Sequence, residues 1–176
     1  MFLANAFWDL SHYQGAIDLM RTMARKDKGF TLTEMMITVL IIGIIAVLSV
    51  PGFARFLHTW KLAGDADRFA AALRTARAAA VTKNSSAVFT FDKDNGTFFY
   101  FEDADGDGTL DDAEYRSATY RLGSGIVFAA YTLSGPTLTF GTMGNTRESG
   151  SITLRNSDNR TKTVRIFGGT GNVLVN

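Results

Sequence analysis

From Met35 to Val50 the sequence runs uncharged through MMITVLIIGIIAVLSV, and nothing else in the chain limits its fold as tightly. A helix in the core of a soluble protein carries a polar stripe at helical spacing, and this run has none. With Phe30–Leu32 before it and Pro51–Phe53 after it, the apolar span reaches the roughly 20 residues that cross a bilayer. A secretory signal peptide shares the basic flank and the apolar run, but it ends in small residues at a cleavage site. This run continues instead into Pro51, Gly52 and an aromatic, basic stretch. Arg21, Arg25, Lys26 and Lys28 precede it, which assigns that side to the cytoplasm and sends the rest of the chain outward. Glu34 sits just inside the membrane edge, where an unpaired carboxylate is costly and marks function.

Lys28-Gly29-Phe30-Thr31-Leu32-Thr33-Glu34 ahead of an apolar run resembles the prepilin peptidase motif of type IV pilins and type II secretion pseudopilins. The resemblance implies cleavage between Gly29 and Phe30 by a prepilin peptidase that also methylates the new terminal Phe30. It implies retention of the helix in the inner membrane as a single pass, with the C-terminal domain in the periplasm. In that family the carboxylate matching Glu34 pairs with the terminal amine of a neighbouring subunit, and an acid in hydrocarbon needs such a cationic partner. Pro51 matches the family's helix-loosening proline, which removes one backbone hydrogen bond. An ordinary single-pass anchor accounts for the hydrophobicity but not for Gly-Phe-x-x-x-Glu at its border.

On this reading residues 1–29 are a leader, 30–53 a membrane-spanning and filament-core segment, 54–83 an amphipathic helix and 84–176 a β-rich domain. The opening MFLANAFWDL is more apolar than family leaders tend to be, and Met23, which opens MARKDKG, is an alternative start. The leader carries away four bases and three acids. The full chain has 18 Lys and Arg against 17 Asp and Glu, so it lacks the strongly basic footprint of a protein built to coat nucleic acid. It has no cysteine and two histidines, His12 and His58. Disulfides, thiolate chemistry and Cys- or His-rich metal sites are thereby excluded.

From Ala54 to Lys83 the sequence is alanine-rich and free of proline, with Leu62, Ala66, Phe69, Leu73, Ala76 and Ala80 at spacings of four and three. That is one apolar stripe on a helix, with Arg68, Arg74 and Arg77 read as a solvated face. Asn84-Ser85-Ser86 ends the helix. Beyond it the period becomes two: Ala87–Phe91 and Thr97–Phe101 flank a turn ending Asn95-Gly96, a hairpin signal. Further strands are expected at Tyr115–Leu122, Ile126–Tyr131, Thr137–Phe140, Ser151–Leu154, Thr163–Phe167 and Asn172–Val175. The expected fold is α+β and pilin-like: a long N-terminal helix packed on one antiparallel sheet. The helix segment Leu73–Arg77, the acidic turn, Gly150–Leu154 and Gly169-Thr170-Gly171 resemble the secretion protein H and minor pilin T/U branch of that family.

The acidic turn, Asp103 to Glu114, reads DADGDGTLDDAE and fits a calcium loop. Asp103, Asp105 and Asp107 supply carboxylate oxygens, Thr109 its carbonyl, Asp111 a direct or water-mediated ligand and Glu114 a bidentate one. Gly108 permits the sharp turn, and Leu110 sits where such loops turn one apolar side chain inward. The flanks read as strands rather than helices, so a solvated hairpin loop is the competing account.

Other motifs carry less. Gly168-Gly169-Thr170-Gly171 lacks the Lys-Ser/Thr of a phosphate loop and precedes a strand, so it reads as a turn. His58, beside Trp60, reads as an interfacial residue. Arg155, Arg160, Lys162 and Arg165 form a basic patch, the basis of an alternative reading as a DNA-binding minor pilin for natural transformation. No nucleophile–base pair or metal–water arrangement marks an enzyme. The leading expectation is a minor pilin or pseudopilin that works in filament assembly or at the tip of a secretion pseudopilus or pilus. Its partners are other pilins, through the N-terminal helix, and its prepilin peptidase. No cofactor is required, and calcium is the candidate ligand.

Overall fold

The computed structural model describes residues 29–176; the leader, Met23 and the basic residues up to Lys28 lie outside the described residues. The chain divides into two compact units between Leu48 and Ser49. One helix, Leu32–Lys83, contributes to both. In the first unit its apolar residues are bare, with Met35 to Leu48 exposed throughout. By length and composition the helix can cross a membrane.

In the second unit the helix supplies one wall of the core. The six stripe residues from Leu62 to Ala80 are all essentially inaccessible, as are Ala70 and Ala72. Asn84 ends the helix at φ 52°, and the Ser85 N–H reaches back to the Ala80 carbonyl at 3.3 Å. This is a Schellman closure, with asparagine in the left-handed position where glycine is usual.

Eight strands follow: β1 (Ser86–Asp92), β2 (Thr97–Asp103), β3 (Tyr120–Arg121), β4 (Ile126–Tyr131), β5 (Thr137–Phe140), β6 (Gly150–Asn156), β7 (Thr161–Phe167) and β8 (Asn172–Val175). They form two antiparallel sheets, ordered β3-β2-β1-β5 and β4-β6-β7-β8, in place of the single sheet expected. Strand periodicity tells which side chains face inward, but not which strand lies beside which. The chain changes sheet after β3, β4 and β5.

Phe69 of the helix joins the layers. Its ring meets Phe89, Phe98 and Phe128 edge-on at centroid distances of 5.4, 5.0 and 5.5 Å, so it touches both sheets. Such edge-to-face pairs add about 0.5–1.5 kcal/mol each beyond burial.

The strand expected at Tyr115–Leu122 is reduced to an isolated bridge, Phe101↔Arg116, and the two residues of β3. Between them Ser117 intrudes: its hydroxyl accepts the Tyr100 N–H at 3.0 Å, and its own N–H donates to the Tyr100 carbonyl. The register moves by one residue across that point, as in a bulge.

Candidate functional site

The N-terminal motif forms the start of the helix. Thr31 caps it, its hydroxyl accepting the Glu34 N–H at 3.2 Å, and Thr31-Leu32-Thr33-Glu34 has the spacing of a capping box. Phe30 is 71% exposed and Glu34 is also exposed. An acid in the first helical turn also complements the helix dipole. The capping role of Thr31 was readable in its distance from Glu34.

The acidic loop leaves β2 at Asp103, which is buried. Asp103 Oδ1 accepts the Gly106 N–H at 2.9 Å and Asp105 Oδ1 the Asp107 N–H at 3.2 Å. Asp107 takes both the N–H and the hydroxyl of Thr109 at 2.7 Å. Across the loop, Glu114 Oε1 accepts the Ala104 N–H at 2.7 Å and Oε2 the Asp111 N–H at 3.3 Å. Gly106 and Gly108 both have positive φ, 81° and 76°, which a side chain would resist.

These bonds draw the acids together. Ligand oxygens of Asp103, Asp105 and Glu114 lie within 4.8 Å of one another, and those of Asp105, Asp107 and Asp111 do likewise. Asp105 belongs to both groups, and such clusters can bind a metal ion. The crowding has an electrostatic cost: the negative charge of Asp107, then desolvation, Asp105 and Glu114, push the Asp111 carboxyl above the ordinary aspartate range. The Thr109 hydroxyl and N–H hold Asp107 below that range. Leu110, expected to turn inward, is instead 39% exposed.

The four bases of the patch do not share a face. On β7, Val164 and Ile166 point into the core, so Lys162 has their parity and Arg165 the opposite. Arg155 pairs in register with Thr161, and Arg165 with Ser151. Arg155 and Arg165 therefore stand on the outer surface of the second sheet, about 13 Å apart along the strands. Arg160 lies in the β6–β7 turn, beside Lys162.

Four contacts escaped the sequence reading. Arg74 and Arg77 are not merely solvated: Arg74 Nη2 donates to the Val173 carbonyl at 2.9 Å and Arg77 Nε to the Gly144 carbonyl at 2.8 Å. His58 is not simply an interfacial ring, for its Nδ1 lies 2.9 Å from Asp158 Oδ2. Asp65, on the core-facing side of the helix, is buried and accepts the Gly123 N–H. The turn Gly168–Gly171 is a turn, as its sequence implied.

Comparison with known proteins agrees with this architecture. Residues 65–170 match the family model of the type II transport protein GspH. Residues 24–50 match the prokaryotic N-terminal methylation motif. No curated protein sequence matches the chain. Among solved structures, the minor pseudopilin EpsH from the type 2 secretion system of Vibrio cholerae aligns with a TM-score of 0.51 at 14% identity, over 66% of this chain and 96% of that one. The type IV minor pilin FimU of Pseudomonas aeruginosa aligns with a TM-score of 0.55 at 15% identity, over 69% and 92%. At these identities the likeness is one of fold: a long N-terminal helix against antiparallel sheets.

Proposed function

We infer a filament subunit, because the chain belongs to the type II transport protein GspH family, whose minor pseudopilins are structural subunits and not enzymes. The chain enters the inner membrane by its apolar helix, with the β domain on the periplasmic side. Prepilin peptidase cuts between Gly29 and Phe30 and methylates the Phe30 amine. Glu34 then pairs with the terminal amine of a neighbouring pseudopilin as the helix enters a filament, and the β domain acts in assembly or at the tip. The observation that carries this reading is the methylation motif over residues 24–50, which runs into an exposed, uncharged helix. Mass spectrometry of the membrane form tests it: methylated Phe30 as the amino terminus is expected, and any other terminus overturns the reading.

Calcium at the acidic loop fits the donor set. Carboxylate oxygens are what a hard cation selects, and the crowding of acids, the charge of Asp107 first, already raises Asp111. Asp103, Asp105, Asp107, Asp111 and Glu114, with the Thr109 carbonyl, are the proposed ligands, and the ion's role is to fix a loop outside the cytoplasm. Calorimetric titration with calcium should give one site in the native protein, and none in Asp105→Ala.

The DNA-binding alternative rests on Arg155 and Arg165, which face outward together. Retardation of a DNA duplex at low salt, lost in the double alanine variant, is what that alternative requires.

A further inference from the structure

The β6–β7 turn folds back on the helix where His58 meets Asp158. Asn156 shapes the turn, its Oδ1 accepting the N–H groups of Asp158 and Arg160 at 3.0 and 2.9 Å. A cleft of about 400 Å³ opens between helix and turn, lined in part by Thr59, Leu62, Arg160 and Lys162. A second, of about 250 Å³, is lined in part by His58, Lys61 and Asn156. Among the described residues, no ion pair engages Arg55, Lys61, Arg160 or Lys162. The turn's one acid, Asp158, is held by His58.

The same turns of helix carry Phe53, Phe56 and Trp60, 62, 60 and 71% exposed. Their rings stack in succession at 6.5 Å. Bare aromatic rings level with unpaired bases suit the boundary between hydrocarbon and water. If the apolar span ends at Phe53, a rise of 1.5 Å per residue puts His58 and Lys61 about 8 and 12 Å beyond it. The headgroup layer is roughly 5–8 Å deep on each side, so long basic side chains at that level reach its phosphates.

We propose that the β6–β7 turn, through Arg160 and Lys162 with Lys61 of the helix beside them, docks on anionic phospholipid headgroups. The inference rests on the reading that the helix spans the membrane. It divides the basic patch, giving Arg160 and Lys162 a role separate from the outward-facing Arg155 and Arg165. Lipid is favoured over nucleic acid because these bases adjoin the aromatic band and not one continuous basic face. The contact holds the β domain against the membrane until the subunit leaves for a filament.

The full chain, reconstituted in vesicles of phosphatidylcholine alone or with phosphatidylglycerol, tests this by hydrogen exchange of the turn amides, residues 157–161. Exchange about fivefold slower in the anionic vesicles is expected for each base engaged. Arg160→Gln with Lys162→Gln should restore the neutral-vesicle rate, while the β1 and β6 amides stay protected and so report an intact fold. A chain that does not float with vesicles of either kind refutes the membrane reading itself. Flotation with equal turn exchange in both vesicles refutes the lipid contact alone. Equal slowing by free glycerol phosphate or by a DNA duplex over neutral vesicles overturns the proposal in favour of a soluble anion site or a nucleic-acid site.

Discussion

The buried carboxylate of Asp65 accepts the backbone N–H of Gly123, and a Cβ at residue 123 would lie 2.9 Å from Asp65 Oδ2. The helix and the segment before β4 are thus joined by a bond that a side chain at residue 123 would crowd. Gly123→Ala forces the carboxylate off its donor, and Asp65→Ala strands the N–H. Each should cost about 1–3 kcal/mol in equilibrium unfolding. The double variant should cost less than the sum, since both remove one interaction.

The Phe69 ring touches both sheets. Phe69→Ala should destabilise the β domain by about 3–5 kcal/mol, read as an earlier midpoint in denaturant. Phe69→Leu, which keeps much of the volume but loses four edge-on ring contacts, should fall between that variant and the parent.

Gly171 lies at φ 63°, and a Cβ there would overlap the Gly144 carbonyl oxygen that Arg77 holds. Gly171→Ala should therefore break the Arg77–Gly144 bond as well as strain the turn, costing more than the ~1–2 kcal/mol of the left-handed conformation alone. Gly169, also at positive φ but with open space around it, should tolerate alanine at about that lower cost. Comparing the two by thermal unfolding separates conformation from collision.

Asp111 and Asp107 are shifted in opposite directions, and their contributions to stability have opposite signs. The raised Asp111 carboxyl favours the folded state most below the ordinary aspartate range, and that contribution is lost as pH rises through its folded pKa. The lowered Asp107 contributes above the ordinary range and loses its contribution as pH falls through its folded pKa. Carboxyl NMR titration should show Asp111 moving down in Asp107→Asn, whose charge is its largest perturbation, and down again when calcium is added to the parent protein. An Asp111 titration unmoved by calcium would exclude it from the ligand set.

Glu34→Gln removes the charge while keeping the length of the side chain. Cleavage at Gly29 and membrane insertion should persist, and recovery in sheared filaments should fall to background. Undiminished recovery would leave Glu34 with only its place in the first helical turn.

The helical stripe was legible because burial on a helix repeats every three or four residues, and Leu62 through Ala80 obey that period without exception. Strands β4, β5 and β8 were legible for the equivalent reason at period two. The contacts that sequence did not reveal join residues far apart in the chain: Asp65 to Gly123, Arg77 to Gly144, Arg74 to Val173 and His58 to Asp158 span 58, 67, 99 and 100 positions. No local pattern encodes such partners. An arginine bound for a strand-edge carbonyl looks the same in sequence as one bound for water. The acidic loop lies between these cases: its acids are written in a short motif, while their convergence on Asp105 depends on turns that only the folded backbone displays.

The bond from Arg74 to Val173 also places events in time. The stripe it flanks is complete before any strand has been made, yet its acceptor arrives 99 positions later. A chain made from its amino terminus onward carries that stripe without its full cover until the β7–β8 hairpin has been made. Closure over so long a stretch of chain is intrinsically slow. The domain is therefore finished only when its last hairpin is in place, and the Arg74 bond is among the last contacts the chain can make.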